Sequence, residues 1–143
     1  MTNAETRSAI VAEALSWLST PYHHAARIKG AGVDCAQILI AVFEATGLIE
    51  EFTPADYPRD WMMHRSEEVF LSHIHSRSIE VVTPQPGDVA LYRVGRCFAH
   101  GAIVIDWPTV IHADSRIGEV TMAQGDQGFL ANREVRFFSV LKS

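Results

Sequence analysis

Gly30-Ala31-Gly32-Val33-Asp34-Cys35-Ala36-Gln37-Ile38-Leu39-Ile40-Ala41-Val42-Phe43 joins a glycine-bearing loop to an almost wholly apolar run. A run that is apolar on every side is the mark of a buried helix, which the pattern places over Cys35–Ala45. Asp34 suits the N-cap, because its carboxylate can accept from main-chain N–H groups of the first turn. Gly47 suits the stop. The stretch therefore sets a cysteine as the first residue of a central helix.

Upstream, residues 4–18 repeat apolar groups at helical spacing, with Ile10, Val11, Ala14, Leu15 and Leu18 on one stripe. Pro21 ends that helix, and residues 22–33, with Gly30 and Gly32, read as a loop. Downstream, two prolines make residues 51–58 a connector, and residues 59–76 read as a third helix. After Ser78 the period changes. Residues 79–82, 88–94, 99–106, 110–114, 119–123 and 133–141 are short segments rich in Val, Ile, Phe and Tyr, most of them separated by Gly, Pro or Asp, and read as strands. Helices first and strands afterwards predict an α+β fold, with an antiparallel sheet backed by the early helices.

The chain has 143 residues, 48% of them hydrophobic and 20% charged, which fits one domain over residues 1–143 with a real core. Twelve basic against seventeen acidic residues give a net charge of −5, and no basic cluster accumulates. Nucleic acid and anionic membrane are therefore not the expected partners. Two cysteines make no disulfide scaffold. No segment reaches the roughly 18 apolar residues needed to span a bilayer. Residues 1–7 lack the basic and apolar regions of a secretory leader, so the expected location is cytoplasmic as synthesised.

Cys35 is the candidate nucleophile. A helix N-terminus presents unpaired N–H groups and about half a positive charge, both of which favour thiolate over thiol. The same N–H groups suit an oxyanion on an attacked carbonyl. A cysteine at a helix start is equally often a small buried hydrophobe, so a base has to be found. Ala99-His100-Gly101 and Ile111-His112-Ala113 supply two candidates in successive strands. Alternate strand residues share a face: His100, Ala102 and Val104 on one strand, and Val110, His112 and Asp114 on the next. An even pairing sum, such as His112 opposite Ala102, brings both imidazoles to one face. One ring can then take the thiol proton while the other fixes its tautomer and direction.

This set resembles the NlpC-type papain-like cysteine peptidases that cut bacterial cell-wall peptides, most nearly the branch found with phage tail proteins. The similarity runs through Thr20-Pro21-Tyr22-His23-His24, Arg27, Gly30-x-Gly-Val-Asp-Cys35, Pro86-Gly87-Asp88-Val-Ala-Leu-Tyr92, His100-Gly101 and Ile111-His112-Ala113. It implies a Cys35 nucleophile, a His100 base and an orienting His112, with Tyr22 against the cysteine. It also implies that Asp34 shapes the subsite for the substrate's free amino end. The implied fold is a cysteine-bearing helix packed on a five- or six-stranded antiparallel sheet. The implied substrate is the peptidoglycan stem peptide, cut between D-γ-glutamate and a diamino acid, with no metal or organic cofactor. Phage tail or other delivery proteins are the implied partners, and a virion or tail-associated location, acting on the cell wall, is the alternative to a cytoplasmic one.

The pattern departs at Ala36-Gln37, where the family has a small residue and then glycine, and at Ala26, where the phage branch often has glycine. Gln37 can narrow the subsite. His24 and Arg27 are placed beside Tyr22 as cleft-lining residues. Competing readings are a zinc site from Cys97 and His100 with Cys35 or His112, an amidase or acyltransferase using the same Cys–His pair, and a silent wall-docking module. Trp17, Trp61, Phe70 and Phe98 are tempting as a sugar-stacking set but read better as core, and residues 56–61 as a flap over the cleft.

Overall fold

The computed structural model describes residues 2–49, 78–94 and 97–141. The expected third helix, the flap, Trp61, Phe70, and the side chains of Cys97 and Phe98 lie outside what is described.

Helix α1 (Asn3–Leu15) opens on a capping box: the Thr2 hydroxyl accepts from Glu5 N–H at 3.1 Å, and the Glu5 carboxylate accepts from Thr2 N–H at 3.3 Å. It stops three residues short of the expected end. Trp17 and Leu18 N–H donate to Ala14 and Leu15 carbonyls in tightened turns, and Ser19 takes a φ of 69°. That rotation exposes Leu18 and buries Trp17 in its place.

Strands β1 (Arg27–Ile28) and β2 (Gly32–Val33) form a small antiparallel hairpin where the sequence suggests only a loop. Helix α2 (Cys35–Ala45) follows at once, as expected. Gly47 ends it at φ 74°. Its N–H donates to Glu44 O at 3.0 Å, and Leu48 N–H donates to Phe43 O at 2.9 Å, the paired bonds of a Schellman motif.

The remaining elements among the described residues are β3 (Ile79–Val81), β4 (Val89–Val94), β5 (Cys97–Asp106), β6 (Thr109–Asp114), β7 (Glu119–Gln124), a single 3₁₀ turn (Gly128–Leu130) and β8 (Val135–Ser139). They build one six-stranded antiparallel sheet in the order β3-β8-β4-β5-β6-β7. All six expected strands are present, and the sheet with two helices packed on it is the expected α+β architecture. The β5–β6 turn contains a cis Trp107–Pro108 bond.

One sheet face packs under the helices. Ile10, Ala14, Leu39, Val42 and Phe43 meet Val89, Leu91, Ile103, Ile111 and Phe138 there. The alternate residues Ala90, Tyr92, Ala102, Val104 and Val110 form a second, smaller cluster with Leu130 on the other face. An ion pair ties the layers: the Arg7 guanidinium of α1 lies 2.7 Å from Asp88 at the head of β4, and also donates to Ser139 Oγ on β8. Gly101 fixes how closely α2 sits on the sheet. A Cβ there would fall 2.5 Å from Leu39 Cδ1, so α2 rests on bare β5 backbone.

Candidate active site

Asp34 caps α2 as the sequence predicts. Its Oδ1 accepts from Ala36 N–H at 3.1 Å and Gln37 N–H at 2.9 Å, and its Oδ2 accepts from Ala25 N–H at 2.7 Å. One buried carboxylate thus starts the cysteine helix and pins the preceding loop. Cys35 is the first helical residue and is buried. It shares a helix face with Leu39, four residues on, and Leu39 faces β5 through Gly101.

The start of α2 lies at a definite end of the sheet. Tyr22 bridges Val33, and its N–H donates to Gly118 O at 2.8 Å in the β6–β7 turn. At that end β5 begins, β6 finishes and β7 begins. It is the end that carries His100, His112 and Asp114.

The register expectation holds. Ile103 pairs with Ile111 and Val104 with Val110, which brings His112 level with Ala102. The imidazoles meet: His100 Nε2 lies 2.7 Å from His112 Nδ1, with ring centroids 4.9 Å apart and planes at 81°. His112 is buried, and His100 is partly exposed. His112 Nε2 in turn lies 4.0 Å from Asp114 Oδ2, beyond hydrogen-bond length but within strong electrostatic reach. Asp114 accepts from Arg116 N–H at 2.9 Å and from the Arg116 guanidinium at 3.1 Å.

The charges order the protons along this line. Burial alone would raise the Asp114 carboxyl, but the Arg116 N–H, His112 and the Arg116 guanidinium together hold it below its ordinary value. Burial lowers His112, with Asp114 opposing and Arg116 adding. Burial also pushes His100 down to about 3; His112, Arg116 and Arg133 act in the same sense, and Asp114 opposes. Both rings are therefore neutral near pH 7. A carboxylate can only accept, so it favours the His112 proton on Nε2. Nδ1 of His112 then accepts from His100 Nε2–H, and the basic lone pair of His100 is left on Nδ1.

The other expected site residues are placed as follows. Tyr22 and His24 are half-buried in the segment that Asp34 anchors, and Gln37 is buried in the first turn of α2. Arg27 sits on β1 with its guanidinium 3.4 Å from Glu44, nine residues or about 13 Å along α2 from Cys35.

Sequence reasoning assigned no role to Asp114, although its i, i+2 spacing from His112 was the available signal. It missed Arg116, Phe129 and Arg133 outright. Phe129 lies in the 3₁₀ turn and stands edge-on to His100, with centroids 6.4 Å apart. The Arg116 and Arg133 guanidinium carbons lie 3.6 and 4.0 Å from its ring centroid. Tyr92, opposite His100 in the β4–β5 register, donates its hydroxyl to Gly125 O at 2.8 Å, and burial pushes its phenol up. It fills space beside His100 and stays protonated.

A helix-borne cysteine at the end of an antiparallel sheet that carries paired histidines defines a papain-like α+β architecture. Comparison with solved structures narrows this to the NlpC/P60 fold. The P60 domain of an antigen from M. avium subspecies paratuberculosis aligns over 98% of both chains, with a TM-score of 0.63 at 14% identity. The NlpC/p60 domain of the peptidoglycan hydrolase SagA aligns over 91% of this chain and 96% of its own, at 0.61 and 22%. An NlpC/P60 family protein from Bacillus cereus gives 0.65 and 17%; there, 91% of this chain spans 39% of the longer protein. No protein-family model matches the sequence, and no curated protein does.

Proposed function

We propose that this chain is a cysteine peptidase that hydrolyses peptidoglycan stem peptides, at the bond between D-γ-glutamate and a diamino acid. The observation that carries the reading is the 2.7 Å His100–His112 pair, set at the sheet end where the Cys35 helix begins, in an NlpC/P60 fold. The peptidoglycan hydrolase SagA, whose domain this fold resembles, supports the choice of substrate.

In the proposed reaction His100 Nδ1 takes the thiol proton, and Cys35 Sγ attacks the scissile carbonyl. N–H groups at the start of α2, with Tyr22, hold the oxyanion. His100 returns the proton to the leaving amine. Water, deprotonated by the same ring, then releases the acyl-enzyme. His112 holds the ring and Asp114 holds the charge order behind it. Asp34 fixes the α2 terminus from which the oxyanion donors point, while Gln37 and His24 border the subsites. No metal ion takes part. Delivery to the wall by a phage tail or similar particle belongs to the same proposal.

The test is digestion of purified sacculi and a defined stem peptide by wild type, Cys35→Ala and chelator-treated protein, with products read by mass. The expected result is cleavage after the γ-glutamyl residue, abolished by Cys35→Ala and indifferent to chelator. Activity that survives Cys35→Ala but is lost to chelator overturns the mechanism in favour of a metal. Wall binding without cleavage supports the docking module instead.

A further inference from the structure

The cation pair on Phe129 exchanges no proton in the path just described, although both guanidinium groups add to the lowering of His100. Two guanidinium groups converge on one ring, 3.6 and 4.0 Å from its centroid, in a chain whose net charge is −5. Each guanidinium gains a cation–π contact with the ring, while the two like charges repel, so an anion meeting them would add to what the ring already supplies. Arg116 is partly neutralised by Asp114. Arg133 is not: its Nε donates to Phe129 O at 2.7 Å, and a second N–H donates to Arg93 O at 3.5 Å, both main-chain carbonyls. No carboxylate pairs with Arg133 among the described residues, and the adjacent Glu134 is taken by Arg93. The Phe129 ring and the Phe129 carbonyl thus hold a net cation in place beside the base, while the Arg116 side chain stays half exposed.

We propose that the Arg116–Phe129–Arg133 stack is a subsite for a substrate carboxylate, and that in a γ-linked glutamyl peptide it receives the free α-carboxylate. The inference rests on the peptidase reading above and deepens it. The chemistry is covalent bookkeeping. When glutamate is linked through its side-chain carboxyl, its α-carboxyl is left as a free acid, four bonds from the scissile carbonyl carbon. Four bonds reach about 5 Å. The reacting carbonyl must come within about 3.5 Å of the nucleophile. The Phe129 and His100 ring centroids are 6.4 Å apart, a separation of the same order as that reach. Guanidinium is the group suited to it, because its N–H fork matches a carboxylate in two parallel bonds. An α-carboxamide, as in γ-linked isoglutamine, brings N–H donors toward two cations and loses that match. The stack therefore separates acid from amide forms of the same stem peptide.

The experiment compares two synthetic tripeptides, L-Ala-γ-D-Glu-L-Lys and its α-carboxamide counterpart. Wild type is expected to prefer the acid by about tenfold or more in kcat/KM, chiefly through KM. Arg133→Gln is expected to bring that ratio close to one, and Arg133→Lys to keep part of it, because charge survives but the fork does not. A ratio near one in wild type, or an unchanged ratio in Arg133→Gln, overturns the subsite while leaving the peptidase reading intact. Cleavage of neither peptide overturns the peptidase reading itself. Titration of Cys35→Ala with both peptides judges the subsite without turnover: equal affinities reject it, and tighter binding of the acid supports it.

Discussion

His100 Nε2 and His112 Nδ1 lie 2.7 Å apart across neighbouring strands. This bond leaves His100 only one nitrogen, Nδ1, with which to act as a base. It also makes the direction of His100 depend on a residue twelve positions away in sequence. His112→Ala is expected to lower kcat/KM by about 100-fold or more, since an unguided imidazole loses both tautomer and aim. His112→Gln, which can still accept from His100 Nε2, is expected to recover part of it. Equal activity in the two variants would show that the bond does not guide the base.

In the proposed reaction Asp114 acts through His112 rather than on substrate. Asp114→Asn keeps the shape but removes the charge that favours the His112 proton on Nε2 and opposes the lowering of both imidazoles. The expected loss is about 10- to 100-fold in kcat with little change in KM. The acid limb of the rate profile should also move to lower pH. A KM effect alone would place Asp114 among the binding residues instead.

Both histidines are depressed below their ordinary value of 6.5. The unfolded chain therefore binds protons that the folded chain refuses. Their contribution to stability is complete above about pH 6.5 and is lost as pH drops through that value toward the folded values. The slope is at most about 1.4 kcal/mol per pH unit for each ring. Urea midpoints between pH 7.5 and 4.5 should fall steadily, and a His112→Phe chain should show a shallower fall. A midpoint that rises on acidification contradicts the assignment.

Gly101 is where α2 touches the sheet. Gly101→Ala places a methyl group 2.5 Å from Leu39 Cδ1, and Leu39 is itself buried. The expected cost is about 1–3 kcal/mol, with activity lost as well, because the displaced helix carries Cys35. Adding Leu39→Val should recover stability over Gly101→Ala alone. A single variant as stable as wild type would mean that the contact relaxes freely.

Asp88 is almost fully buried, bound by Arg7 at 2.7 Å and by Gln85 N–H at 2.8 Å. Asp88→Ala strands the guanidinium against Pro86 O and Ser139, and is expected to cost about 2–4 kcal/mol in thermal or urea unfolding. Its distance from the histidine line predicts that residual folded protein keeps its pH profile.

The helix that bears Cys35 was legible because its apolar run, its Asp34 cap and its Gly47 stop are local, each settled within a few residues. The strands were legible for the same reason, from composition and period. The end of α1 was not: Ser19 turns left-handed, its N–H bonded to Val120 O a hundred residues on, and Trp17 rather than Leu18 enters the core. The β1–β2 hairpin escaped notice because two-residue strands leave no period to read.

The sequence alone thus determined the two described helices and the six strands of the main sheet, the leading cysteine of the central helix, and the fact that two histidines fall on alternating positions of successive strands. Pairing itself was conditional on register, and only the tertiary structure settled it, through Ile103 opposite Ile111. Only the tertiary structure, too, brought Asp114 behind His112 and placed Phe129, Arg116 and Arg133 around His100. The physical reason is range. Caps, periods and turns act within a few residues of sequence. Charges and rings act within a few ångströms of space, and a sheet brings together residues that the chain keeps far apart.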